Sequence, residues 1–187
     1  MRLITVSQIK SLREASPDYP EMMRLVARFK RLQRTRHPFF LTLTEFDEIL
    51  KWKLRGQYAR LQSRLRINND KIIRTVTGAA LSIEHSDEEY ELELRVRILC
   101  SLRYVNVAVA SSVLALVFPD EYCVIDFRGW RQVFNEEHKS EFSIAHYKRY
   151  LRAVRELSEE LKWLVQEVDL AIWHYDRCCR TMSRLAP

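Results

Sequence analysis

Only three glycines, Gly56, Gly78 and Gly129, punctuate 187 residues, and five prolines add few further breaks. Half-buried strands show alternating apolar and polar residues, and the tight turns between them recruit glycine and proline. Neither signal runs through this chain. Apolar stripes at helical spacing fill it instead, which predicts an all-α protein with little or no sheet. The length is enough to bury a full core, and residues 1–187 read as a single helical domain.

Capping chemistry marks the helices. Ser16-Pro17-Asp18 opens one that runs to about Arg34, with Met23, Leu25, Val26, Phe29 and Leu32 as its apolar stripe, and His37-Pro38 stops it. Thr42 and Glu45 form a capping box for a helix through Phe46, Ile49, Leu50 and Trp52, ended at Gly56. Asn68-Asn69-Asp70 caps the helix of Ile72, Ile73, Val76 and Leu81. Ser86-Asp87-Glu88-Glu89 reads as another capping box, its acids placed where the helix dipole favours them. That helix closes near Leu102. Arg103 to Ala108 is a tight connector, and Ala108 to Val117 is a helix of small residues ended by Phe118-Pro119-Asp120. Tyr122 to Ile125 reads as an extended buried loop, and Asp126 stands where a new helix begins. Further helices start at Ser143 and at about Val165, the last with Val168, Leu170, Ala171, Ile172 and Trp173 on its apolar side.

Several classes of function are disfavoured. The longest apolar run, Val105 to Phe118, has 14 residues interrupted by Asn106, Ser111 and Ser112, short of a membrane span. The first residues turn polar too quickly for a secretory segment, so a cytoplasmic protein without a membrane partner is expected. Cysteines at 100, 123, 178 and 179 lack zinc spacing, and the adjacent pair diverges on a helix, as reduced thiols would. The histidines, at 37, 85, 138, 146 and 174, show no ligand spacing, and no metal site is expected. Net charge is +6, with 14 Lys/Arg against four Asp/Glu in residues 24–74 and six acids in residues 84–93. Such asymmetry suits a basic face that meets phosphates and an acidic helix turned away from it, although solvated helix faces explain it equally well.

The most informative stretch is Leu102 to Phe134: helix, tight hairpin, small-residue helix, apolar loop, then an Asp at a helix start. Leu102, Arg103-Tyr104-Val105-Asn106, Ala108, Val109-Ala110 and Ile125-Asp126-Phe127-Arg128 align without a gap to a known pattern, with Asp126 lying 18 positions after Ala108. In this the chain resembles the helix-hairpin-helix DNA glycosylase superfamily, including its endonuclease III and alkyladenine glycosylase branches. The hairpin–helix–Asp module covers about residues 92–134, and Glu45 to Gln57 is similar to the family's helix that ends in a Gln near the DNA wedge loop. Three features depart from the family. Tyr104 and Asn106 replace both hairpin glycines, with Asn106 expected to hold the positive-φ turn. Ala108 stands at the family's Schiff-base lysine. The four-cysteine iron–sulfur loop is missing.

The resemblance implies a two-lobed helical fold with a cleft between the lobes, and a monomer that excises a modified or damaged base from DNA. Its cofactor implications are no iron–sulfur cluster, and a hairpin at which relatives hold a monovalent cation. Breaking an N-glycosidic bond builds oxocarbenium-like charge on the sugar, which a fixed carboxylate stabilises while it positions water. Asp126 matches the family's carboxylate. Residues Tyr104, Val105, Asn106, Val107, Ala108 and Val109 match the phosphate clamp. Without an amine at Ala108, no borohydride-trappable adduct and no abasic-site lyase activity are expected. Arg128, Arg131 and Lys139 are candidates for phosphate contacts, with simple surface solvation an equal alternative. Gln57 and Tyr58 are the candidate wedge, Trp130 stands between pocket and core, and Trp52 and Trp173 read as core. Repair of damaged DNA and defence against modified phage DNA both remain open. So do two rivals: a non-catalytic DNA-binding module in which Asp126 only caps its helix, and a helical protein-interaction domain.

Overall fold

The structure, a computed structural model, describes the backbone of residues 4–65, 67–137 and 139–185; His138 and the side chain of Cys179 lie outside the described residues. Among them the order is α1 (Val6–Ile9), α2 (Tyr19–Thr35), α3 (Leu43–Leu54), a 3-10 turn (Arg55–Gln57), α4 (Tyr58–Leu65), α5 (Asp70–Leu81), α6 (Glu88–Leu99), α7 (Val107–Val117), α8 (Phe127–Phe134), α9 (Ile144–Leu161) and α10 (Val165–Leu185). No strand occurs among the described residues, and the protein is all-α. None of these helices is long and apolar enough to cross a membrane.

The core is organised around α7. Every residue from Val109 to Val117 is buried, so this helix is covered on all sides, by α2, α3, α6 and α10. Small residues allow that approach. Ser111 and Ser112 return their hydroxyl protons to the carbonyls of Ala108 and Val109, at 2.9 and 2.6 Å, so their burial leaves no orphaned donor. Around this hub α2 buries Met22, Leu25, Val26 and Phe29. The buried methionine is Met22, while Met23 is only half-buried. The helix starts at Tyr19, and its buried stripe begins one residue earlier than its apolar spacing suggested.

Three caps form as the sequence indicates. The Thr42 hydroxyl accepts from the amide of Glu45 and Glu45 reciprocates; the Asn69 side chain accepts from Ile72; Ser143 accepts from His146. At α6 the cap is Asp87, whose side chain accepts from the amides of Glu89 and Tyr90, and Ser86 plays no part in it. A carboxylate at the mouth of a helix satisfies orphan donors and the helix dipole together, and so displaces a neighbouring serine. The acids of α6 do not face away alone. They lie along α9, where Glu88 pairs with Arg155 at 2.9 Å, Glu89 with Arg152 at 2.6 Å and Glu93 with Lys148 at 3.0 Å.

Candidate functional site

Asp126 is held from two directions. Upstream, the loop Tyr122 to Ile125 is extended and buried, and buried backbone needs partners. Ser111 on α7 accepts from the amide of Ile125 at 3.1 Å, and the hydroxyl of Tyr147 on α9 donates to the carbonyl of Cys123 at 2.8 Å. Downstream, Asp126 is the N-cap of α8. Its Oδ1 accepts from the amides of Arg128 at 2.9 Å and Gly129 at 3.0 Å. The other oxygen, Oδ2, lies 3.8 Å from Nζ of Lys53 at the end of α3. The carboxylate is thus fixed by one oxygen, with the second turned toward a cation.

Both groups line a cleft of about 320 Å³, within the roughly 300–1,000 Å³ range of small-ligand sites. Its floor and walls combine Trp52, Lys53, Asp126, Gln166, Asp169 and Trp173, and Arg55, Arg60 and Arg128 give it a cationic rim. Trp173 is not core, as its position on the helix had suggested. It is half-buried, with the guanidinium of Arg55 at 4.8 Å, of Arg177 at 4.9 Å and of Arg128 at 5.5 Å from its ring. Trp52 is buried, yet it also lines the cleft, and its indole N–H has no acceptor among the described residues. The same holds for the side-chain oxygen of Gln166. Buried polar atoms without partners are uncommon and cost about 1–3 kcal/mol each, and two of them lie beside one cleft.

Asp169 on α10 is the second carboxyl of the cleft. It receives the Tyr150 hydroxyl at 2.6 Å. Burial, and next the charge of Asp126, push its carboxyl up to about 7, so it holds a proton that an ordinary aspartate has lost.

The hairpin borders a second hollow, lined by Leu54, Gln57, Leu61, Arg64, Tyr104, Val105, Asn106 and Val109. Leu54 and Gln57 line both hollows, so the hairpin and Asp126 lie on opposite sides of a thin shared wall. The turn is built differently from the sequence expectation. Asn106 has φ −99° and serves as N-cap of α7, its side chain accepting from Val109 at 3.0 Å. The left-handed residue is Tyr104, at φ 63°, with its ring more than half exposed. Capping is the stronger use of a short amide side chain, and it leaves the turn to its neighbour. Val105 is buried, Val107 and Ala108 are half-buried, and the last two amides belong to the first-turn donors that a helix leaves without an internal partner.

Four candidates from the sequence do not join the site. Tyr58 is buried, with its hydroxyl on Asp47, and cannot wedge into a duplex; exposed Gln57 alone reaches the cleft. Trp130 is fully buried among Phe134, Phe142 and Tyr150, its N–H donating to Glu136 at 3.0 Å, and belongs to the core. Arg131 is also buried, clamped on the fully buried Asp176, and is not available to a phosphate. Apolar periodicity on the short helix α8 carries Trp130 and Arg131 inward together, while Arg128 stays half-exposed at the rim, 3.0 Å from Asp176. Lys139 is half-buried and lines neither hollow.

Sequence reasoning missed Lys53, Gln166 and Asp169. Each looks like an ordinary helix residue in its own segment, and only the packing of α3 and α10 against the Asp126 loop assembles them. Among the described residues no group of three or more His, Cys, Asp or Glu side chains is placed to hold a metal ion. No family model, curated protein or solved structure matches the chain.

Proposed function

We propose that the chain is a DNA glycosylase of two-lobed helix-hairpin-helix type, which extrudes a modified or damaged base and cleaves its glycosidic bond. The observation that carries this reading is Asp126: one oxygen is pinned by helix amides, and the carboxylate lines a cleft with aromatic walls and a cationic rim. A carboxylate so fixed stabilises positive charge developing on the sugar without reorganising, and positions water for the attack. An extruded base needs a flat apolar wall, which Trp52 and Trp173 offer, with the unpartnered Gln166 oxygen and Trp52 N–H buried behind it. The rim arginines meet the flanking phosphates, a contact that positions the strand without reading it. The hairpin lies across the Gln57 wall, where it can grip the same strand. Both DNA repair and defence against modified phage DNA use this chemistry.

The test is to incubate the protein with DNA carrying assorted modified bases, heat the product in alkali and look for strand breaks. Breaks are expected with the wild type and not with Asp126→Asn; equal cleavage by both would remove Asp126 from the chemistry. A second reading, a non-catalytic DNA-binding module, draws on the complete N-cap that Asp126 makes. It predicts salt-dependent DNA binding with no breaks for any base.

A further inference from the structure

We propose that the hairpin hollow is a subsite for an unpaired nucleotide whose base stacks on Tyr104, so that the protein takes single-stranded DNA across both hollows. The inference rests on the reading of the Asp126 cleft as a DNA site, and deepens it by naming the form of DNA that the surface fits.

Tyr104 holds its place against local preference. A bulky residue at φ 63° is rare, because its Cβ crowds the backbone, and glycine fills such positions without strain. Here the turn is anchored from both sides. Asn68, itself buried, accepts from the amide of Arg103 at 3.0 Å and donates to the carbonyl of the same residue at 2.9 Å. Buried Val105 follows, its amide donating to the carbonyl of Leu102 at 3.2 Å. Between these anchors Tyr104 is 58% exposed, more than any other large hydrophobic side chain among the described residues. Among those residues no hydrogen bond or ring contact occupies its side chain.

The surroundings suit a base and its phosphates. The hollow beside the ring, about 430 Å³, is walled by Leu54, Leu61, Val105 and Val109, and no acid lines it. A base stacks on an exposed aromatic face whatever its sequence, because every base has a π-face. Arg60 and Arg64 lie one turn apart on α4, both exposed, Arg60 at the Asp126 cleft and Arg64 at the hairpin hollow. A sugar–phosphate chain running along α4 meets one guanidinium per hollow and drops one base on each side of the wall formed by Leu54 and Gln57. A paired strand does not fit that course, since both bases are turned away from their partners. An unpaired strand has no pairing to break, and bringing its base to Asp126 is easier for it.

The probes are a labelled oligothymidine of about 12 nucleotides, within the usual site sizes of ~4–16, and a duplex of the same length. At equal salt the wild type should bind the single strand more tightly. Tyr104→Ala should weaken single-strand binding by about 5- to 150-fold and leave duplex binding unchanged, and Tyr104→Phe should stay close to the wild type. Tyr104→Gly separates the ring from the turn. It should lose the same affinity while its melting temperature holds or rises, since glycine takes a left-handed turn freely. Tighter binding of the duplex by the wild type, or single-strand affinity retained in Tyr104→Ala, overturns the proposal. Base excision from duplex DNA with no preference for the single strand also overturns it, and leaves the glycosylase reading standing. Single-strand binding that depends on Tyr104, without strand breaks for any base, supports the subsite and removes the glycosylase reading instead. Absence of DNA binding altogether removes both.

Discussion

The hydroxyl of Tyr150 stands 2.1 Å from the point where a Cβ on Gly129 would be, so these two residues occupy one space between them. The same hydroxyl donates to Asp169 at 2.6 Å, and the amide of Gly129 donates to Asp126 at 3.0 Å. A residue without a side chain thus links the two carboxyls of the cleft. Gly129→Ala should force Tyr150 aside, and Tyr150 is fully buried with nowhere to go. The expected cost is about 1–3 kcal/mol in denaturant unfolding. Because the clash falls mainly on the hydroxyl, the Gly129→Ala/Tyr150→Phe double variant should lose less than the sum of the two single changes. Strict additivity would show that Gly129 tolerates a methyl group by another route.

The two roles of Asp126 separate by substitution. Asparagine is as good an N-cap as aspartate, so Asp126→Asn should unfold close to the wild type, whereas Asp126→Ala should cost about 0.5–2 kcal/mol. Base excision should vanish in both. If excision tracks stability instead, surviving in Asn and failing in Ala, the residue is a cap alone.

Arg131 and Arg60 should behave as opposites. Arg131→Ala leaves the buried Asp176 with only Arg128 and Gln132, and should destabilise the fold by about 3 kcal/mol. Exposed Arg60 on the cleft rim should leave stability unchanged when replaced by alanine. Its loss should lower DNA affinity and reduce the slope of log affinity against log salt by about 1. Titrations of both variants with an unmodified duplex over a salt series decide this.

Asp169 gives a pH dependence with a definite sign. Its folded value of about 7 lies above the ordinary 3.8, so across that interval the folded chain keeps a proton that the unfolded chain has released. Stability from this group therefore falls as pH rises through the window and stays lost above it. Asparagine does not titrate. The melting temperature of Asp169→Asn should accordingly improve relative to the wild type between pH values of about 5 and 8. A difference that stays flat with pH would mean that Asp169 is ionised throughout.

Much of the frame was legible in the residues. Thr42 with Glu45, Asn69 and Ser143 are local signals, because a cap reads a backbone amide two or three residues away, and each one forms. The small-residue helix and the Asp at the start of α8 were legible for the same reason. What escaped depends on competition or on distance. Asn106 and Tyr104 divide capping and the left-handed turn between them, and propensity alone assigned the turn to the wrong one. Trp130, Tyr58 and Arg131 carry chemistry that suits a DNA site, but the rotation of their helices about the core turns them inward. Lys53 and Asp169 meet Asp126 only because α3 and α10 converge on the loop that bears it.

Leu54 and Gln57 face a hollow on each side, the Asp126 cleft on one and the hairpin groove on the other. Between them Arg55 sits at φ 47°, and Gly56 is open to space with no atom near its missing Cβ. The partition is therefore a short irregular step in the backbone, not a rigid helix. A substitution at Leu54 or Gln57 therefore alters the lining of both chambers at once, beside Asp126 on one side and beside the hairpin on the other.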